Sequence, residues 1–140
     1  LKPLFWDGFY DYCAERPDFL GSYYDPSKRA ENSGWVATFG FGKKGVRATA
    51  YFVQLDGWVG VDLWFSDVLL FEKLQAIKDE AEAALSPLGG TISWREPGEK
   101  TRELLVRFDS DTSPEHWGEL YAWLADGLLK MRAVAGMLEK

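Results

Sequence analysis

The scarcest reactive side chains of this 140-residue chain are one histidine, His116, and one cysteine, Cys13. A Ser-His-Asp triad, a Cys-His pair or a multi-histidine metal site needs more members than these. His116 falls in the first turn of the last helical pattern, where an exposed helix-start residue is expected. Cys13 sits on an apolar stripe and reads as a buried, inert thiol. No catalytic residue, metal ligand set or cofactor site is assigned.

The run Gly40-Phe41-Gly42-Lys43-Lys44-Gly45 resembles a phosphate loop only on the surface. Such a loop needs four residues between its glycines, Ser or Thr after the lysine, and a following helix whose amides face the anion. Here a second lysine and then a strand pattern follow, so a hairpin turn is expected. Asp56 and Asp62 could approach one another across a turn, and the order helix, three strands, helix, strand is also that of restriction-type nucleases. The nearest local match, Asp62-Leu63-Trp64, lacks the lysine that two-metal chemistry would use, which leaves a degenerate nuclease-like domain as the weakest alternative.

Two sets of residues suit binding. Lys28, Arg29, Lys43, Lys44 and Arg47 lie within twenty positions that hold only Glu31 as an opposing charge, and form a candidate nucleic-acid patch. Tyr51, Trp58, Asp62 and Trp64 alternate onto one strand face and form a candidate interaction face, with Arg47, Arg95 and Arg107 as neighbours if the strand registers allow. Arginine beside aromatic rings is the composition of interfaces and of base-stacking surfaces. The competing reading is that a helix covers this face, with Asp62 accepting from a buried indole.

The elements that carry these sets are legible from periodicity. Phe5, Phe9, Tyr12 and Cys13 mark a helix over about 3–16, stopped by Pro17. A long aperiodic loop follows over 21–34. Alternating patterns predict strands over 34–42, 46–55 and 58–65, joined by Lys43-Lys44-Gly45 and by Asp56-Gly57. Leu70, Leu74, Ile77, Ala81 and Leu85 predict a second helix over 67–85. A second hairpin is expected from strands at 91–95 and 102–109. Thr112 with Glu115 matches a capping box, with Ser113-Pro114 as the alternative start, for a last helix over 114–138.

The expected fold is therefore α+β, in the order α-β-β-β-α-β-β-α: an antiparallel sheet of about five strands with helices packed mainly on one face. One domain spans 1–140, and the start at Leu1 leaves open that it is the C-terminal part of a longer chain. Apolar residues at 46% and seven tryptophans can fill a core without disulfide or metal. The net charge of -6 opposes a general attraction to nucleic acid. A single cysteine, no export signal and no spanning stretch of about 18 apolar residues point to the cytoplasm.

With the elements placed, the chain resembles the uncharacterised prokaryotic family of domain of unknown function 4268 from end to end. The resemblance is carried by Phe5-Trp6 with Phe9 and Tyr12, by Pro26-Ser27 ahead of Trp35, and by Gly40 to Gly45. It continues through Val61-Asp62-Leu63-Trp64, Lys78 to Glu82 with Trp94-Arg95, and Trp117 to Leu124. Members of that family look like domains that often follow a nuclease-like region, which implies an accessory role in handling nucleic acid; the resemblance brings no activity with it. The expected function is a non-catalytic interaction or accessory module, docking to a protein partner, an upstream domain or its own copy. The alternative is a nucleic-acid-contacting accessory domain that uses the basic set.

Overall fold

The computed structural model describes residues 2–19, 36–39 and 44–139. Helix α1 spans Lys2–Ala14, followed by strands β1 (Val36–Phe39), β2 (Val46–Val53) and β3 (Trp58–Phe65). Helices α2 (Val68–Gln75) and α3 (Lys78–Leu85) lead to β4 (Thr91–Arg95) and β5 (Arg102–Asp109), and α4 (Trp117–Gly136) closes the chain. The class is α+β with an antiparallel sheet, as expected. The loop expected over 21–34 lies outside the described residues, and of the first expected strand only 36–39 is described.

The sheet order is β1-β2-β3-β5-β4, with every neighbouring pair antiparallel. Strands β2 to β5 form its bulk and the four-residue β1 lies at its edge. Strands β3 and β4 run the same way with β5 inserted between them, because the α2–α3 segment carries the chain across one strand position before it doubles back. The turn at Gln54–Gly57 needs Gly57, whose φ of 71° is left-handed and strained for any residue with a Cβ.

Alternation divides the sheet into two chemically different faces. Ala48, Ala50, Phe52, Val59, Val61, Leu63, Phe65, Leu104 and Val106 are buried on the first. The described helices pack there. Phe5 of α1 stacks on Phe52 at 3.7 Å between ring centroids, and Trp117 of α4 meets the same ring edge-on at 5.8 Å. Phe71 of α2 packs edge-on against Phe65, and Trp123 of α4 stacks on Phe108. Gly127 of α4 lies so close to Val61 that an added Cβ would stand 2.8 Å from its Cγ2.

Two expectations are corrected. The single helix over 67–85 is two helices, because Ile77 leaves the helical region at φ -118°, ψ 38° and its amide bonds Leu74 O in a tighter turn. On either side of the break α2 buries Phe71 and Leu74 and α3 buries Ala81 and Leu85 in the same core cluster. The capping box at Thr112 does not form: its hydroxyl donates to Gln54 O at 2.9 Å, tying the last helix to the β2–β3 turn. Pro114 instead opens a short 3-10 turn, Pro114–His116, ahead of α4, and the Ser113 amide and hydroxyl both donate to Asp111 Oδ1.

Candidate interaction face

The second sheet face carries, by register, Arg47, Thr49 and Tyr51 from β2 and Trp64, Asp62, Gly60 and Trp58 from β3. Glu103, Leu105 and Arg107 from β5 and Arg95, Ser93 and Thr91 from β4 continue it. All the helix contacts described above fall on the opposite face. The expected set of Tyr51, Trp58, Asp62 and Trp64 therefore does share one surface, with the three arginines as neighbours. Strand parity alone put the β3 residues together; the pairing of β3 with β2 and β5 added the rest.

At the upper end the Trp58 ring folds over Gly60, where an added Cβ would stand 2.9 Å from its Cζ3. The ring receives the Arg107 guanidinium at 4.7 Å from its centroid, and Tyr51 lies 6.1 Å away on the other side. Arg107 Nε also bonds Asp109 Oδ1 at 2.9 Å, so the cation is oriented as it lies on the indole. Trp58, Trp64 and Tyr51 are half-buried, and Arg47, Arg95 and Arg107 are exposed. Strands β2 to β5 contain no lysine at all.

The centre of this face is polar and closed. Asp62 is fully buried, and Thr49, Glu103 and Leu105 nearly so. Tyr51 Oη donates to Asp62 Oδ2 at 2.8 Å and stands 3.4 Å from Glu103 Oε2. Arg95 Nη1 bonds Glu103 Oε1 at 3.1 Å. Burial, then the neighbouring Glu103 carboxyl, holds the Asp62 carboxyl well above the usual carboxylate range. Burial, then the neighbouring Asp62 carboxyl, likewise raises the Tyr51 phenol, which stays a donor.

Asp62 thus takes its hydrogen bond from a phenol rather than from an indole. The described indole bonds lie elsewhere: Trp94 donates to Glu82 Oε2, Trp117 to Thr112 O and Trp123 to Leu88 O. Asp56 does not join Asp62 either. It is exposed in the turn, whereas Asp62 lies mid-strand opposite Thr49. Glu103 is the acid that does meet Asp62, and sequence reasoning missed it. Its signal was an acid directly ahead of the apolar stretch Leu104-Leu105-Val106, but its neighbour depended on register.

Of the basic set, Lys28, Arg29 and Lys43 lie outside the described residues. Lys44 is exposed beside Gly45, whose carbonyl accepts from the Ser66 amide, and Arg47 is exposed opposite Trp64. His116 lies at the start of α4, as expected, between Asp111 at 3.2 Å and Glu119 at 3.7 Å. Cys13 is fully buried and its thiol is pushed up to about 12 by burial. Among the described residues no group of three or more His, Cys, Asp or Glu side chains could hold a metal ion. No described helix is long and apolar enough to cross a membrane.

The family model described as "Domain of unknown function (DUF4268)" matches residues 1–138. The chain belongs to this family. A DUF4268 assignment names no activity, so the chemistry of the surface has to carry the functional reading. Neither a curated protein nor a solved structure matches the chain.

Proposed function

We propose that this DUF4268 domain is a non-catalytic interaction module whose second sheet face docks a protein partner. The observation that carries the reading is the Arg107–Trp58 stack beside Tyr51, on the face away from the helices. Arg, Trp and Tyr are the residues that dominate binding energy at interfaces, and lysine is depleted there. Arginine is favoured because its planar guanidinium lies flat on a ring and still offers donors to a carboxylate. The partner segment that suits Arg47, Arg95 and Arg107 presents carboxylates, with apolar or aromatic side chains to lie on Trp58 and Trp64. An acidic chain with a local arginine cluster favours such a partner over nucleic acid, which needs a larger excess of positive charge.

The test is to pan a random peptide display library on the protein, then titrate the selected peptides by fluorescence anisotropy. Selected sequences enriched in acidic residues, whose affinity falls at least tenfold in Trp58→Ala and in Arg107→Ala, are the expected result. Peptides without that enrichment, or indifferent to both variants, overturn the reading. The exposed Lys44 and Arg47 support a second reading, contact with phosphate through the basic set. Micromolar binding of a duplex at low salt, lost on charge reversal of Lys43 and Lys44, would select it.

A further inference from the structure

Two carboxyl groups lie in the closed centre of the sheet face with too little positive charge for both to ionise. Glu103 accepts from Arg95 at 3.1 Å, while the one hydroxyl of Tyr51 reaches both acids, at 2.8 Å and 3.4 Å. Among the described residues no cation is bonded to Asp62. Its Oδ1 is buried and lacks any hydrogen-bond partner. A buried carboxylate normally has its lone pairs engaged, so an acid with an oxygen that no donor reaches, beside a second acid, is the poorer place for a full negative charge.

We infer that Asp62 and Glu103 form a one-proton site, with the proton on Asp62 and the negative charge on Glu103. The groups around it are accounted for on each strand. Strand β2 offers Thr49 and Tyr51, neither of which carries charge, and Arg47, which is exposed opposite Trp64; β3 offers Trp58 and Trp64. Strand β5 offers Leu105 and Arg107, the latter committed to Asp109 and the Trp58 ring, and β4 offers Ser93 and Arg95. Among the described residues Arg95 is the single cation bonded to either acid, and it selects Glu103 as the anion. Two acids that share one phenol hydroxyl cannot both ionise cheaply away from water, and the deeper one without a cation keeps its proton. The direction of the Asp62 shift agrees.

Loss of this proton as pH rises places a second negative charge beneath the exposed arginines. On the docking reading above, and only on that reading, affinity for an acidic peptide then falls as pH rises. The proton site is tested without any partner. Protein labelled with 13C at aspartate carboxyls is titrated by NMR. One aspartate should titrate well above the others, vanish in Asp62→Asn, and move at least tenfold toward stronger acidity in Glu103→Gln, where the repelling charge is gone. Aspartates that all titrate together in the ordinary range, or an outlier that persists in Asp62→Asn, would overturn the inference. Should Glu103→Gln fail to fold, Asp62→Asn decides alone, because asparagine has the shape of the protonated acid. An outlier with no peptide binding would sink the docking reading and leave the proton site standing.

Discussion

Helix α4 contains three glycines in different surroundings, and replacing each with alanine measures how closely the helix is seated on the sheet. Gly118 and Gly136 have nothing within 4 Å of an added Cβ, while Gly127 has both Cγ atoms of Val61 at 2.8 and 2.9 Å. Alanine is better than glycine in a helix by about 0.8–1.0 kcal/mol in mid-helix, and by less near an end. Gly118→Ala should therefore stabilise, by roughly half of one kcal/mol. At Gly127 the same gain is opposed by overpacking. Val61 is fully buried and its branched side chain has little rotamer freedom, so relief must come from moving α4 outward. Inserting a methyl into a close-packed site costs about 1–3 kcal/mol, which exceeds the propensity gain. A net loss of up to about 2 kcal/mol is expected, read from urea midpoints at unchanged slope. Stabilisation of Gly127→Ala equal to that of Gly118→Ala would refute the seating of α4 on Val61.

Leu124→Ala should cost about 2–5 kcal/mol, since Leu124 is fully buried, whereas Lys44→Ala at an exposed turn should stay within roughly half of one; matched denaturant midpoints would defeat this. The Cys13 thiol, buried and pushed up to about 12, should resist thiol reagents at neutral pH and react only on unfolding; prompt labelling of native protein is the adverse result. Asp62 sets a pH dependence of stability. Its folded pKa is raised, so its contribution is fully present below about pH 4 and is lost as pH rises toward the folded value, by up to about 1.4 kcal/mol per pH unit. Asp62→Asn should remove that decline and be more stable than the parent at pH 8; parallel stability curves for the two proteins would contradict this.

Periodicity read along the chain was enough to place β2, β3, β4, β5 and α4, because a strand with one face on a core and a helix with one apolar stripe both write their geometry into adjacent residues. It was also enough to put Trp58, Asp62 and Trp64 on one face, since parity within a strand needs no knowledge of its neighbours. It failed at Ile77, an apolar residue that continues the helical pattern although the backbone breaks there. It failed at Thr112 too, whose hydroxyl had a local partner by motif and found Gln54 O, 58 positions back, instead.

The site divides in the same way. Residue types and spacing determined the aromatic and acidic face of β3, the inert Cys13 and the lack of a histidine-based centre. Only the tertiary structure decided that Glu103 would lie beside Asp62 and that Arg107 would lie on Trp58. Both depend on β5 pairing with β3 at one register, Trp64 opposite Glu103 and Gly60 opposite Arg107. A shift of one residue would have turned Glu103 and Arg107 to the other face and brought Leu104 and Val106 in their place. That register is selected by burial of the apolar face under the helices, a property of the whole fold that no local stretch of β5 encodes.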